Sequence, residues 1–133
     1  MKSNKILIVF ISIVSLFIFS CTKTDNLPTT TATITVKNIL GPVSGITVYA
    51  YDQDTWKIHG DNPLFAIGEA TSDADGKAVF SNIEYATVFN STNNYQNNFR
   101  FSAYYEFFGI NKKKVKSVTV NKGDQVALEI FLD

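Results

Sequence analysis

The stretch FRFSAYYEF at residues 99–107 decides the fold class of this chain. Apolar or aromatic side chains occupy every second position of the stretch, beginning at Phe99, and polar residues such as Arg100 and Ser102 stand between them. A period of two places successive side chains on opposite faces of an extended strand. The pattern therefore predicts a β-strand with one buried face.

The same alternation recurs on both sides of this stretch, in segments separated by turn-forming residues. The turns include GPVSG at residues 41–45 and NKGD at residues 121–124, and the polar segments 52–63 and 89–98 are interpreted as loops. No segment has a clear helical period of 3.6 residues. The predicted strands are residues 32–37, 46–51, 65–70, 77–83, 99–107, 115–120 and 125–132.

Seven short strands without helical crossovers predict an all-β fold over residues 32–133. The predicted architecture is an antiparallel seven-stranded β-sandwich of immunoglobulin-like or transthyretin-like type, because the apolar faces of the strands must bury against each other. Phe80, Phe101 and Leu128 are the predicted core residues.

Residues 34–38, residues 41–48 with the turn GPVSG, and residues 70–80 with the turn DADG resemble the carboxypeptidase regulatory-like domains. These domains are transthyretin-like (prealbumin-like) β-sandwiches, common in secreted and surface proteins of Bacteroidetes. The resemblance implies a fold and an exported setting. It implies no activity, because turn motifs specify a backbone rather than a chemistry.

Residues 1–20 place Lys2 and Lys5 ahead of a fourteen-residue apolar run, as in a secretory signal peptide. A membrane-spanning helix needs about 20 apolar residues, so the run is short for a permanent anchor. The run ends in LFIFSC, which resembles the lipobox of bacterial lipoproteins. That resemblance implies that Cys21 carries acyl chains such as palmitate and begins the mature chain. The alternatives are an ordinary cleaved signal peptide or a short anchor helix.

Composition narrows the classes of partner and site. One cysteine and one histidine in 133 residues exclude a disulfide framework and most zinc sites, and no cofactor is predicted. Without residues 1–20 the chain has 10 basic and 12 acidic side chains, and such an exported, slightly acidic chain is not expected to bind nucleic acid.

The predicted location is the bacterial cell envelope, on the outer membrane, with the membrane itself as a partner through Cys21. Residues 21–31 form a predicted polar tether that spans at most about 35 Å. Asp25 is the only acidic residue in this tether, so the sequence leaves the membrane face open. Envelope proteins or glycans are the other expected partners.

One polar segment gathers side chains suited to ligand contact. The ring of Trp56 could stack on a sugar while nearby carboxylates accept hydroxyl groups; alternatively, Trp56 plugs one end of the sandwich. Tyr95, in the Asn-rich segment, is a second candidate contact or part of a solvated connection. The candidate ligand-binding residues are Trp56, His59, Asp54 and Tyr95, with Asp52 and Asp61 in the same segment as Trp56.

Three hypotheses of function follow from these residues. The leading one is a non-enzymatic, membrane-tethered lipoprotein with a role in protein interaction or structure. A glycan-binding accessory lipoprotein is the alternative, and a small hydrolase or hydrolase inhibitor is the second alternative. No catalytic residue is predicted, because a lipidated Cys21 is no nucleophile, His59 has no second histidine, and the chain has no G-x-S-x-G motif.

Two charged clusters each have two interpretations. Asp73 and Asp75 could bind calcium, but a tight turn explains the same residues, because Asp bonds its own backbone. The lysines at residues 112–114 and Lys116 are typical of a guarded strand edge, and they could also attract acidic headgroups or glycans.

Overall fold

Two β-sheets account for most of the structure, a computed structural model that describes residues 27–84, residue 89 and residues 95–133. Residues 1–26 lie outside this description, and with them the predicted signal peptide, Cys21 and most of the tether. In chain order the described elements are β1 (Thr31–Asn38), β2 (Gly41–Pro42), β3 (Thr47–Asp52), α1 (Gln53–His59), a 3₁₀ turn (Pro63–Phe65), β4 (Gly68–Thr71), β5 (Lys77–Phe80), β6 (Gln96–Phe107), β7 (Ile110–Asn121) and β8 (Gln125–Phe131).

The strands form two four-stranded sheets. In sheet A, β1 pairs with β2 and β5 along one edge and with β8 along the other. In sheet B the order is β4, β3, β6, β7, and every neighbouring pair is antiparallel. The all-β architecture with two sheets, which the alternation predicts, is confirmed.

One pair of strands departs from the antiparallel prediction. β1 and β8 run parallel, in register from Thr31 opposite Gln125 to Lys37 opposite Phe131. The turn at residues 121–124 does not close a hairpin, because it leads β8 out of sheet B and into sheet A. Parallel neighbours need a long connection, and here all the strands from β2 to β7 provide it. The antiparallel prediction is therefore wrong for this pair.

The core lies between the two sheets. Phe80 of sheet A and Phe101 of sheet B are buried, with ring centroids 5.4 Å apart, which confirms both as core residues. Leu128 is only partly buried, because it packs against the core from β8, an outer strand of sheet A. The buried apolar residues of this core are Ala32, Ile34, Val36, Val48, Ala50, Ala78, Phe80, Ile83, Phe99, Phe101, Ala103, Val120, Ile130 and Leu132.

Strand boundaries differ from the predicted ones where charged or amide residues hide the alternation. β6 begins at Gln96 and β7 at Ile110, so both strands are longer than predicted and form one hairpin of two twelve-residue strands. Part of the segment 89–98 is therefore strand, and residues 85–88 and 90–94 lie outside the described residues.

The chain enters the domain at what we call the N-terminal end of the sandwich. Thr30, inside the predicted tether, is fully buried, and its hydroxyl lies 2.6 Å from the carboxylate of Glu84 and 2.7 Å from the N–H of Gly123. The hydrogen bond from Thr30 holds the pKa of Glu84 below its usual value. Tyr95 lies at the same end, because its carbonyl accepts the N–H of Lys122 at 2.7 Å.

The opposite, distal end carries the β1–β2 turn, the β6–β7 turn and the last residues after β8. The carboxylate of Asp133 lies 2.9 Å from the hydroxyl of Tyr105 and 2.9 Å from Nζ of Lys112, on the distal halves of β6 and β7. The N–H of Leu132 bonds to the carbonyl of Lys37 at 2.7 Å, so the ends of β8 and β1 also meet here.

Candidate functional site

The polar segment after β3 contains a short helix. Asp52, buried at the end of β3, accepts the N–H of Thr55 at 3.0 Å and so caps α1. Asp54 lies in the first turn, where a negative charge favours the helix, and Gly60 ends the helix with a φ of 64°. The loop prediction for residues 52–63 is wrong here, because seven residues make only two turns and leave no recognisable helical period.

Residues 53–67, which we call the excursion, are fastened to the outer face of sheet B through Asp61. The side chain of Asp61 is only 5% exposed. Its carboxylate accepts two hydrogen bonds from the guanidinium of Arg100, one of them at 2.6 Å, and one from Nζ of Lys113 at 2.8 Å. Tyr104 donates its hydroxyl to the backbone carbonyl of Asp61. Side chains of β6 and β7 therefore converge on one residue of the excursion.

The charge of Asp61 is maintained by these partners. Burial by itself raises the pKa of the carboxyl group, because it removes water from the charged form. The hydrogen bonds and positive charges of Arg100 and Lys113 outweigh burial, and they hold the pKa of Asp61 below its usual value. The group is therefore an ionised structural acceptor.

A layer of polar side chains lies on the same outer face. Tyr51 and Ser102 are fully buried, and neither hydroxyl has a hydrogen-bond partner of good geometry among the described residues. Burial raises the pKa of Tyr51 well above its usual value, and the neighbouring Tyr104 and Asp61 act in the same direction. The outer face of sheet B is thus partly dry although its side chains are polar.

Trp56 borders this layer and a shallow concavity of about 350 Å³. Its ring centroid is 5.7 Å from the guanidinium carbon of Arg100, and its Nε1 is buried without a partner in the described part of the chain. The amide of Asn98 accepts the hydroxyl of Thr119 at 2.6 Å. An aromatic ring beside amide and hydroxyl groups can stack on a ligand and exchange hydrogen bonds with it. The lining residues are Trp56, Asn98, Ser117, Val118 and Thr119.

The other predicted ligand residues have different neighbours. His59 is exposed and stacks on Phe65 within the excursion, with ring centroids 3.9 Å apart. Asp54 is exposed on the first turn of α1. Tyr95 lies at the N-terminal end, where Nζ of Lys122 is 5.6 Å from its ring centroid. Of the four candidates, Trp56 alone lines the concavity, and the ligand-binding role of the set stays a prediction.

Sequence reasoning missed the strand residues that organise this face. Arg100 is the only arginine of the chain and stands on the polar side of the strand with the clearest alternation. Together with Tyr104 on the same side, it marks a polar face whose side chains need hydrogen-bond partners. That signal predicts a polar contact, but it does not identify Asp61 as the partner, because the two residues are 39 positions apart in sequence.

The turn with Asp73 and Asp75 is held by hydrogen bonds to its own backbone. The carboxylate of Asp73 accepts the N–H groups of Asp75 and Lys77, both at 2.9 Å. Gly76 has a φ of 74° and fits tightly against the carbonyl of Val36, so a side chain there would clash. Within the described ranges, no group of three His, Cys, Asp or Glu residues is placed to hold a metal ion.

The lysines of β7 alternate between the two faces of sheet B. Lys112 and Lys114 both bind the carboxylate of Asp133, at 2.9 and 2.6 Å, whereas Lys113 binds Asp61 on the outer face. β7 is an edge strand of sheet B, where charged side chains discourage pairing with another chain.

Across the residues described, no helix combines the length and the apolar character needed to cross a membrane. No model of a known protein family and no curated protein matches the sequence. The function of the chain must therefore be inferred from its own residues and their geometry.

Proposed function

We propose that this chain is a non-enzymatic lipoprotein of the bacterial cell envelope that is anchored by Cys21 and presents its β-sandwich to a partner. The supporting observation is the position of Thr30, nine residues after Cys21 and bonded to Glu84 and Gly123 at one end of the sandwich. A lipid on Cys21 would hold the whole domain by that end.

Acyl chains supply enough energy for such an anchor. Each buried CH₂ contributes about 0.8 kcal/mol, and two chains hold a protein stably on a bilayer. The proposal includes a cleaved signal peptide over residues 1–20, a transthyretin-like type of sandwich and an outer-membrane location.

Three carboxyl groups of the described residues act as hydrogen-bond acceptors, which suits a binding or structural role. The carboxyl groups whose pKa values are shifted, Asp61, Glu84 and Asp133, are all lowered by hydrogen bonds from cationic or hydroxyl partners. Each is therefore ionised at neutral pH, and none is suited to donate a proton as a general acid.

Labelling with an alkyne fatty acid in a bacterial host tests the anchor. The wild-type chain should take up the label and partition into detergent, and Cys21→Ser should abolish the label, because the sulfur that carries the lipid is gone. Thr24→Ser is the matched control and should label normally. Equal labelling of Cys21→Ser and wild type would refute the lipoprotein proposal.

A glycan is the second candidate partner, and the concavity beside Trp56 favours it. An aromatic ring, the amide of Asn98 and the hydroxyls of Ser117 and Thr119 border one open space. Sugars offer an apolar ring face together with hydroxyl groups, and this lining can meet both. The concavity is small and open, so a bound sugar would remain partly in water.

A glycan array with wild type, Trp56→Ala and Tyr95→Ala tests this candidate. Binding should be lost in Trp56→Ala and retained in Tyr95→Ala, because Tyr95 lies at the N-terminal end. An absence of saccharide binding by the wild type would reject the glycan function. Loss in both variants would place the site elsewhere.

A further inference from the structure

Two turns at the distal end present large apolar side chains to solvent. Ile39 and Leu40 form the β1–β2 turn and are 81% and 92% exposed. Phe108 and Ile110, at the β6–β7 turn, are 89% and 61% exposed. Turns of this size usually carry Gly, Asn, Asp or Pro. We call these four residues the distal tip.

The β6–β7 turn places Phe108 in a backbone conformation that a bulky residue rarely adopts. Phe107 pairs with Ile110, so Phe108 and Gly109 are the two central residues of the turn, with φ values of 50° and 74°. Positive φ at both positions suits Asn-Gly, whereas a bulky residue there is a conformational outlier. The Phe108 ring meets the ring of Phe107 edge-on, with centroids 4.4 Å apart, but most of its apolar surface stays in water. That surface is open to a contact outside the domain.

The charges near the distal tip are mixed. Nζ of Lys112 lies 4.5 Å from the ring centroid of Phe107. The acidic turn with Asp73 and Asp75 is close by, because Gly76 packs against Pro42 of β2. Attraction by charge is therefore weak, and apolar burial must supply the affinity of this surface.

The proposed anchor brings a bilayer within reach of the distal tip. β6 has twelve residues, so the tip is about 36 Å from the N-terminal end of the sandwich. The nine residues from Cys21 to Thr30 can span about 30 Å. A sandwich tilted on its tether can therefore place both the lipid on Cys21 and the distal tip in one membrane. A bilayer also accepts convex apolar turns without a shaped pocket.

We propose that the distal tip inserts into the lipid bilayer and gives the anchored domain a second membrane contact. This inference rests on the proposed lipid anchor. The tip would enter the region between headgroups and acyl chains, about 5–10 Å deep, as interfacial helices do. Because the contact is apolar, it should form on phosphatidylcholine and on mixed anionic vesicles alike.

Tryptophan fluorescence of the lipidated protein in vesicles tests the insertion. The chain has one tryptophan, so Trp56→Phe supplies a silent background in which Phe108→Trp reports on the tip. Leu64→Trp in the same background is the matched control, because Leu64 is 87% exposed but lies on the excursion. Insertion should shift the emission of the tip reporter to the blue, and brominated acyl chains should quench that emission. The control reporter should stay unquenched.

The results separate the inference from the anchor on which it rests. Flotation with the vesicles reports on the anchor, and a protein that fails to float refutes both. A floating protein whose tip reporter is unquenched, or no more quenched than the control, overturns the insertion. In the reporter chain, Leu40→Ser with Ile110→Ser should lower the equilibrium constant for insertion by about a hundredfold or more, since each buried large apolar side chain contributes a factor of at least about ten.

Phe108→Asn separates insertion from folding. Asn accepts positive φ more readily than Phe, so this variant should unfold at the same or a higher temperature than the wild type. A fluorescent label on Ile110→Cys should then lose its blue shift when Phe108→Asn is added. A retained blue shift would show that Phe108 plays no part in insertion and would overturn its assigned role in the distal tip.

Discussion

The two faces of sheet B are held by different physical forces. On the inner face, Phe99, Phe101 and Ala103 are fully buried against sheet A. On the outer face, Asp61 of the excursion is held by Arg100 and Lys113. Both faces are covered, but only the inner one is covered by apolar side chains. The comparison shows that a strand with clean alternation can be buried on its polar side as well.

The largest expected effect is on the inner face. Phe101→Ala should lower the free energy of unfolding by about 3–5 kcal/mol, because it removes a fully buried ring and leaves a cavity. Urea unfolding measures the change. Phe131→Ala is the matched control at a half-exposed ring, and it should cost no more than about 1 kcal/mol. Equal costs for the two variants would contradict the assignment of the core.

A smaller loss is expected on the outer face. Asp61→Asn should lower the free energy of unfolding by about 2 kcal/mol, below the usual cost of breaking a buried ion pair, because Arg100 and Lys113 are each about one-third exposed. Asp75→Asn, at an exposed carboxylate, should change stability by no more than about 0.5 kcal/mol. A loss as large as that of Phe101→Ala would remove the distinction between the faces.

The outer face should also be sensitive to acid. The pKa of Asp61 is lowered in the folded protein, so its contribution is complete above the unfolded value near 4 and is lost as the pH falls through the folded pKa. The stability difference between wild type and Asp61→Asn should therefore shrink as the pH falls from 5 towards 2. Urea unfolding at several pH values measures it, and a constant difference would contradict the role of the ionised carboxylate.

The smallest effect is expected at Ser102, whose buried hydroxyl has no partner of good geometry in the described structure. Ser102→Ala should leave stability unchanged or raise it by up to about 1 kcal/mol. Ser72 is its counterpart, because its buried hydroxyl accepts the N–H of Ile46 at 2.9 Å and donates to the carbonyl of Val43 at 2.8 Å. Ser72→Ala should cost about 1–3 kcal/mol. An equal fall in melting temperature for Ser102→Ala and Ser72→Ala would indicate that the hydroxyl of Ser102 does have a hydrogen-bond partner.

Alternation predicted the faces of the strands well and their partners poorly. Phe80 and Phe101 are core residues because apolar side chains at every second position share one face of a strand, and that face is buried against the other sheet. The parallel pairing of β1 with β8 has no local signal, because it joins strands at opposite ends of the domain sequence. Turn residues predict where the chain bends, but not which sheet the next strand enters.

The candidate site was less predictable than the core. Trp56 was identified by residue type, but its neighbours Asn98, Ser117 and Thr119 come from strands that follow 40 or more residues later. The shared segment predicts His59 beside Trp56, and the Asn-rich segment offers Tyr95 as a second contact, but the fold gives each of them another neighbour. Side chains from distant segments converge only through strand register, which a single sequence does not encode locally.

The central position of β1 determines how the domain carries load. A pull between Thr30 and the distal end acts along β1, which is bonded over seven residues to β8 and on its other edge to β5 and β2. Such a force shears the ladder, so the hydrogen bonds must break together rather than one after another. The proposed anchor ahead of β1 would thereby load a strand that is bonded along both of its edges.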